Sequence, residues 1–344
     1  MKIGFTYDLR RDYINRGFTE EETAEFDSDE TVHIITETLA GLGHEVIRIG
    51  GIFELVDRLS SGETWDLVFN ISEGLYGRSR EAQIPAVLEA YNIPYTFSDP
   101  LTLALCLDKA MTKTVVMHSG IPTPDFFTVK SQNELEDAIR QKELDFPLFI
   151  KPVAEGTGKG VTPDSIVKSR TELKERCTAM LARYMQPVIV EKYLPGREFT
   201  VGILGSGDHA RAVGVLEVKL LKSAEPLVYS YLNKEFCEER VKYILVEDRN
   251  IIQEASKISL AAYRVLGCRD AGRVDLKTDH NGELYFLEMN PLAGLHPTHS
   301  DLPILCHKMG MPYSSLLSEI LKSAAERGGI SDIGRRRAQG VFMI

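Results

Sequence analysis

The sequence Gly272-Arg-Val-Asp-Leu-Lys-Thr-Asp-His-Asn-Gly-Glu-Leu-Tyr-Phe-Leu-Glu-Met-Asn290 decides how this chain folds and what it binds. Asn281-Gly282 lies between two alternating apolar and polar runs, which is the strongest short-range signal for a β-hairpin with positive φ at both turn residues. If those two residues form the turn, Asp275 lies opposite Glu288 and Arg273 lies opposite Asn290. Because strand side chains alternate, these four residues share one face. The other face is then a core face, formed by Val274, Leu276, Leu287 and Met289.

The shared polar face of this hairpin predicts a metal site. Two carboxylates directly opposite each other on a ladder repel and destabilise the pairing. A hard cation between Asp275 and Glu288 removes that cost, and Asn290 adds a third oxygen ligand. Magnesium prefers a few carboxylates together with water and substrate phosphates. The pattern therefore predicts magnesium, with manganese as a second candidate, against the alternative of an exposed polar face on an ordinary hairpin.

Composition limits the class of protein. The chain has 344 residues, of which 43% are hydrophobic, and a formal net charge of −10. This balance argues against non-specific binding to nucleic acid or to an anionic membrane, and no apolar run approaches the roughly 20 residues that span a bilayer. Five scattered cysteines without a C-x-x-C pair favour a reducing cytoplasm over a disulfide framework.

The order of predicted elements indicates an α/β fold followed by α+β lobes. Strands at Lys2–Tyr7, Glu45–Ile49 and Asp66–Ile71 alternate with helices, and Pro94–Phe97 opens a further strand, which predicts a parallel sheet. After Leu107 strands and helices follow a mixed order. We therefore predict four parts, namely an N-terminal α/β substrate domain at 1–105, a central lobe at 106–190, a C-terminal lobe with the metal site at 191–327 and a tail at 328–344.

Two segments are candidates for nucleotide binding, although the chain has neither Gly-x4-Gly-Lys-Ser/Thr nor Gly-x-Gly-x-x-Gly after its first strand. Lys151 ends an apolar strand and precedes the glycine-rich turn 155–161, whose backbone N–H groups can approach phosphate oxygens. The segment 191–198 can offer backbone groups to an adenine edge and Glu198 to a ribose. The alternatives are a tight hairpin loop and an ordinary strand-to-turn segment.

Taken together, several motifs in order resemble the ATP-grasp ligases, and within them the D-alanine–D-alanine ligase branch. The resemblance covers most of residues 95–325. The motifs are Leu107-Asp-Lys109, Ile150-Lys-Pro152, Glu155-Gly-Thr-Gly-Lys-Gly160, Glu191-Lys-Tyr-Leu-Pro-Gly-Arg-Glu-Phe-Thr-Val201, Gly272-Arg-Val-Asp275 and Leu287-Glu-Met-Asn290.

The resemblance implies an ATP- and magnesium-dependent carboxylate–amine ligase that works through an acyl phosphate, with its ATP cleft between two α+β lobes. Arg273 would stabilise the tetrahedral intermediate, and Lys234, in an irregular segment, would reach the γ-phosphate. Asp275, Glu288 and Asn290 would hold the metal. The residues it assigns to ATP are Lys109, Lys151, Glu155, Gly156, Thr157, Gly158, Gly160, Glu191, Lys192, Tyr193, Leu194 and Glu198.

The amino-acid side departs from the branch. The loop after the first strand is longer, Asn70-Ile-Ser-Glu-Gly74 replaces a His-Gly motif, and Glu235 stands where the mobile-loop tyrosine is expected. The substrate candidates are Arg78, Arg80, Gly294 and Ser300, with solvated surface arginines as the alternative for the first two.

Several alternatives therefore remain open beside dipeptide formation from two D-alanines in peptidoglycan synthesis. One is an ATP-grasp ligase for another amino acid or peptide. The others are a non-catalytic ATP-binding module and a small-molecule kinase. The resemblance also implies a homodimer.

Overall fold

The computed structural model describes residues 1–330, so the predicted tail lies outside the described residues from 331 onward. In this part, twelve strands form three sheets and thirteen α-helices pack around them. The strands are β1 (Lys2–Thr6), β2 (Glu45–Gly50), β3 (Leu67–Asn70), β4 (Phe126–Val129), β5 (Leu148–Pro152), β6 (Ile166–Val167), β7 (Val188–Lys192), β8 (Glu198–Leu204), β9 (Arg211–Leu220), β10 (Val241–Leu245), β11 (Ala271–Thr278) and β12 (Leu284–Asn290). The helices are α1 (Arg10–Asn15), α2 (Asp29–Gly41), α3 (Ile52–Ser60), α4 (Gln83–Ala90), α5 (Pro100–Leu107), α6 (Lys109–His118), α7 (Gln132–Gln141), α8 (Arg170–Tyr184), α9 (Tyr231–Glu235), α10 (Cys237–Arg240), α11 (Arg249–Val265), α12 (Asp301–Lys308) and α13 (Tyr313–Arg327).

The first sheet is parallel, with β1 between β2 and β3. Ile3 and Phe5 of β1 are fully buried because helices cover the sheet. The predicted strand at Pro94–Phe97 is reduced to one parallel bridge, between Tyr95 and Val68 of β3. The chain turns away at Phe97, whose φ is +70°, and Asp99 then caps α5.

The second and third sheets are antiparallel and provide the α+β part of the molecule. The second has the order β4-β7-β5-β6, and the third has the order β10-β9-β8-β11-β12. Helix α11 packs on the third sheet through an apolar stripe that includes Ala255, Ile258 and Ala262. The predicted combination of a parallel sheet with later α+β sheets is confirmed. No helix within residues 1–330 is both long enough and apolar enough to cross a bilayer.

The β11–β12 hairpin has the predicted register at its open end, where Asp275 pairs with Glu288 and Arg273 with Asn290. The predicted two-residue turn is wrong. Asp279 N–H donates to the Glu283 carbonyl at 3.0 Å, which leaves a three-residue loop in which only Gly282 has a positive φ, of 89°.

A β-bulge next to Asp275 compensates for this different turn. Leu276 pairs with Phe286, so Leu287 is the extra residue of β12. The predicted core face is therefore wrong at one position. Phe286 is fully buried, while Leu287 lies in the cleft between the two antiparallel sheets.

Candidate active site

Two connected chambers open between the sheets. The first chamber lies between the second and third sheets, and the second chamber lies between the first chamber and the N-terminal sheet. Lys109, Glu155, Tyr229, Lys234 and Glu288 line both. Of the residues predicted to bind ATP or metal, the first chamber contains Lys109, Lys151, Glu155, Gly158, Glu191, Lys192, Tyr193, Leu194, Glu198, Asp275 and Glu288.

Two lysines, Lys109 and Lys234, lie where the chambers meet. Lys109 Nζ lies 3.6 Å from the Glu288 carboxylate and also donates to the Glu155 carbonyl. Burial would raise the pKa of Glu288, but Lys109, Lys151 and Lys234 outweigh it and hold that pKa well below its usual value. The junction is therefore suited to a polyanion.

A buried ion-pair network lies at the back of the first chamber. Glu191, predicted to contact adenine, is bonded instead to Lys113 at 2.8 Å and to Lys151 at 3.1 Å. Lys113 is fully buried, and burial lowers the pKa of its ammonium to about 8 against the opposing charge of Glu191. Sequence reasoning missed Lys113, because a lysine on a helix gives no sign that it points inward.

The first chamber also has an aromatic wall. The rings of Phe149 and Tyr193 stack with centroids 6.4 Å apart. Glu198, predicted to bind a ribose, is bonded to Lys277 at 2.8 Å. Lys277 was not predicted, although its spacing of two from Asp275 places both on one strand face.

The glycine-rich turn at 155–161 follows β5, as predicted. Gly158 has a φ of +74°, and a Cβ atom there would come within 2.9 Å of the Tyr231 nitrogen, so only glycine fits. Gly160 lines neither chamber. Glycine is required there because a Cβ atom would come within 2.6 Å of the Pro152 ring. Gly156 and Thr157 line the second chamber, and the Thr157 hydroxyl is buried without a hydrogen-bond partner among the described residues. An unsatisfied hydroxyl in such a turn fits a phosphate ligand.

The candidate metal site is the hairpin face formed by Asp275, Glu288 and Asn290. The Asn290 amide nitrogen lies 3.3 Å from Asp275 Oδ2. The pKa of Asp275 is raised, mainly by burial and then by Glu288, with Arg273 acting in the other direction. Three side chains with hard oxygen donors on one face fit a magnesium ion.

Arg273 is held in a fixed orientation beside this face. Its Nε and Nη2 donate to the two oxygens of Asp275, both at 3.0 Å. Its Nη1 lies 2.9 Å from Asp301, a residue that sequence reasoning missed. These contacts use three of the five guanidinium N–H groups and leave two for a ligand.

Lys234 lies on the short helix α9 and not in an irregular segment. The Ser230 side chain caps this helix, and the buried Asn233 donates to the Val228 and Glu225 carbonyls. Lys234 Nζ lies 4.8 Å above the Tyr229 ring. These contacts direct its ammonium into both chambers.

The second chamber contains Arg273, Asn290, Gly294 and Ser300, together with residues of the long loop after β1. Of the two arginines predicted to bind substrate, neither lines a chamber. Arg78 is exposed and pairs with Asp108. Arg80 is buried, and it donates to Glu25 at 2.8 Å and to the Ala154 carbonyl at 3.0 Å.

Comparisons with known proteins agree with this geometry. Residues 115–322 match the family model of the D-ala D-ala ligase C-terminus. The chain is 34% identical over 297 residues to the D-alanine–D-alanine ligase of Bordetella avium, covering 83% of this chain and 89% of that protein. It is 31% identical over 313 residues to protein y4sG of Sinorhizobium fredii, covering 85% and 87%.

The fold is also similar to that of a solved D-alanine–D-alanine ligase. The crystal structure of the D-alanine–D-alanine ligase from Bacillus anthracis complexed with ATP aligns with a TM-score of 0.70 at 22% identity, covering 96% of this chain and 99% of that one. The resemblance inferred from the spaced motifs is therefore confirmed. The chain belongs to the D-alanine–D-alanine ligase family of ATP-grasp proteins, and it is an ATP-dependent ligase that forms C–N bonds.

Proposed function

We propose that this ligase joins the carboxylate of one amino acid to the amine of a second, and that it first activates the carboxylate as an acyl phosphate. The observation that carries the proposal is that Lys109, Lys234 and Glu288 line both chambers. A nucleotide in the first chamber then presents its terminal phosphate to a substrate in the second.

The residues divide into those that hold ATP and those that act at the junction. Phe149 and Tyr193 would cover the base, and Glu198 would accept from the ribose. Lys109 and Lys151 would neutralise the phosphates, and the turn 155–161 would cover them. Glu191 acts through Lys151, since it fixes the position of that ammonium.

We infer that Asp275, Glu288 and Asn290 hold magnesium, and that manganese can replace it. The ion supplies charge neutralisation for the transferring phosphoryl group. Electron spin resonance of Mn²⁺ with ADP tests this site. Bound Mn²⁺ is expected in the native chain and not in Asp275→Asn/Glu288→Gln; equal binding by both would refute the assignment.

The amide bond forms in two steps. A carboxylate oxygen attacks the γ-phosphorus and ADP leaves. The ammonium of the second amino acid then releases a proton to water, the neutral amine attacks the carbonyl carbon, and phosphate leaves as the nitrogen gives up its second proton to water. The two free N–H groups of Arg273 would donate to the oxygen that becomes negatively charged in the second step. Lys234 would neutralise the departing phosphate.

An isotope experiment tests this route. Amino acids labelled with oxygen-18 in the carboxylate are incubated with ATP and magnesium, and products are measured by mass spectrometry. Transfer of one labelled oxygen to inorganic phosphate is expected, together with ADP and a dipeptide. Unlabelled phosphate would refute the acyl phosphate. ATP binding without ADP release would favour a non-catalytic module, and a phosphorylated product without an amine acceptor would favour a kinase.

We also propose that the enzyme works in the cytoplasm and as a homodimer. All five cysteines are buried and free, which suits a reducing compartment. Sedimentation at several concentrations measures the mass of the assembly and tests the dimer.

A further inference from the structure

The second chamber carries more negative charge than its own cations balance. Eight acidic side chains line it. Five have a cation within 4 Å, namely Glu25 with Arg80 and Lys159, Glu155 with Lys159, Glu235 with Arg10, Glu288 with Lys109, and Asp301 with Arg273. Three carboxylates remain.

These three are Asp27, Glu73 and Glu81. They come from separate segments, which are the loop before α2, the loop after β3 and the short turn Arg80–Ala82. None of the three carboxylates has a hydrogen bond or an ion pair with any residue between 1 and 330. Glu81 is only 8% exposed, yet it lines the chamber. An unpaired carboxylate buried to this degree is costly unless a ligand satisfies it.

The nearby cations are committed to other partners. Arg80 donates to Glu25 and Ala154, and Arg10 donates to Glu235 and to the Thr23 carbonyl. Lys109 contacts Glu155 and Glu288. The protein therefore leaves the three carboxylates for something that enters the chamber.

The three carboxylates also act on one another. Burial, together with the charges of Glu81, Glu25 and Asp27, raises the pKa of Glu73 well above its usual value, and Arg80 opposes this only in part. Burial raises the pKa of Glu81 to about 7 against Arg80 and Lys109. A bound cation would relieve this repulsion. Within residues 1–330 no group of three or more His, Cys, Asp and Glu side chains is arranged to hold a metal ion, and an ammonium or guanidinium group carried by a substrate can supply this positive charge instead.

The α-ammonium of an amino acid needs one carboxylate partner, and three are open. We propose that one of the two substrates is an amino acid with a basic side chain, whose second ammonium or guanidinium group is bound by Glu81 and one of its two neighbours Glu73 and Asp27, while the other neighbour binds the α-ammonium. This inference rests on the proposed function, because it takes the second chamber as the amino-acid site. An ammonium offers three donors and a guanidinium five, which matches several acceptors around one group.

Binding measurements test the substrate class. Calorimetry is performed on the full chain with magnesium and a non-hydrolysable ATP analogue. The probes are D- and L-forms of 2,3-diaminopropionate, ornithine, lysine and arginine, with alanine and norleucine as neutral counterparts. At least one basic amino acid is expected to bind tenfold or more tightly than its neutral counterpart, a difference of about 1.4 kcal/mol.

Variants connect this preference to the cluster. Glu81→Gln should reduce the preference to about threefold or less, a loss near 0.7 kcal/mol, and leave norleucine binding unchanged. Glu136→Gln, which removes an exposed carboxylate on α7, is the matched control and should keep the preference. Retained binding of the ATP analogue shows that each variant is folded.

The outcomes separate this inference from the proposed function. Equal binding of basic and neutral amino acids, with dipeptide formation from the neutral ones, overturns the inference and leaves the ligase proposal standing. A preference that survives Glu81→Gln, Glu73→Gln and Asp27→Asn also overturns it. Absence of any amide product with every amino acid overturns the proposed function, and the inference falls with it.

Discussion

Arg273 shows how a single side chain is fixed by its neighbours before any ligand arrives. Asp275 and Asp301 hold three of its N–H groups, so the remaining two have a defined direction. We expect Arg273→Lys to keep the charge and lose this orientation, because an ammonium cannot pair bidentately. The turnover number should fall about 100-fold or more, with little change in the KM for ATP.

Steady-state ADP release measures this effect. Arg211→Lys is the matched control, since Arg211 pairs with Glu319 on the surface. A variant at Arg273 with native turnover would exclude the guanidinium from the reaction.

The carboxyl group of Asp27 makes the stability of the fold depend on pH. Burial, with the charge of Asp8, raises the pKa of its carboxyl to about 8, against about 3.9 in an unfolded chain. The folded state then binds the extra proton, so this group's contribution to stability is present at low pH and is lost as the pH rises towards 8. The Tm of Asp27→Asn relative to the native chain should therefore increase by several degrees between pH 5 and pH 8.

Calorimetric melting of the ligand-free protein across this pH range measures the difference. Asp208→Asn is the control, since it removes one exposed carboxylate away from the chamber and measures the effect of that loss on the Tm. A constant offset between Asp27→Asn and the native chain would contradict the assignment.

Among the elements, the β11–β12 hairpin combines a core and a cleft in consecutive residues. Phe286 is fully buried under α11, so Phe286→Ala should destabilise the fold by about 3–5 kcal/mol. Leu287 is the bulge residue in the first chamber. Leu287→Ala should cost less than about 1.5 kcal/mol and should raise the KM for ATP instead. Urea denaturation and ATP kinetics of the two variants measure the contrast, and equal loss of stability would contradict the bulge.

The same hairpin shows what the sequence can and cannot predict. Alternation in the strands was enough to place Arg273 and Asp275 on one face, because pleating is a local property, but the predicted pairing of Asp275 with Glu288 is confirmed only because the three-residue loop and the bulge cancel each other in the register. The bulge at Leu287 was not predictable, since counting from Asn281-Gly282 assumes a ladder without extra residues. Glu81 and Lys113 were missed for a related reason. Their significance depends on what other segments bring near them, and no local pattern records that.

At the scale of the whole molecule, Asp270 joins the N-terminal α/β part to the C-terminal part. It is fully buried, and its carboxylate accepts from Phe97 N–H at 2.7 Å, from Ser323 at 2.8 Å and from Arg327 at 2.7 Å. Its φ is +64°, a conformation that asparagine tolerates. Asp270→Asn therefore removes the charge without backbone strain, and we expect a loss of about 3 kcal/mol because Arg327 is left without its carboxylate partner.

Chemical denaturation measures this loss, with Asp208→Asn as the surface control. Both variants should keep the same unfolding cooperativity. A change in Asp270→Asn no larger than that of the control would show that the two parts are held together elsewhere.

The Glu25 carboxylate connects the loop after β1 to the glycine-rich turn, and so connects the amino-acid site to the ATP site. It accepts from the Gly156 N–H of the glycine-rich turn, pairs with Lys159 at 3.3 Å and is bonded to Arg80 at 2.8 Å. If the loop after β1 moves on amino-acid binding, Glu25 would transmit that movement to the groups that would hold phosphate. By thermodynamic linkage, ATP then changes the affinity for the amino acid by the same factor by which the amino acid changes the affinity for ATP. Dissociation constants measured in both orders give this factor, and Glu25→Gln should bring it close to one.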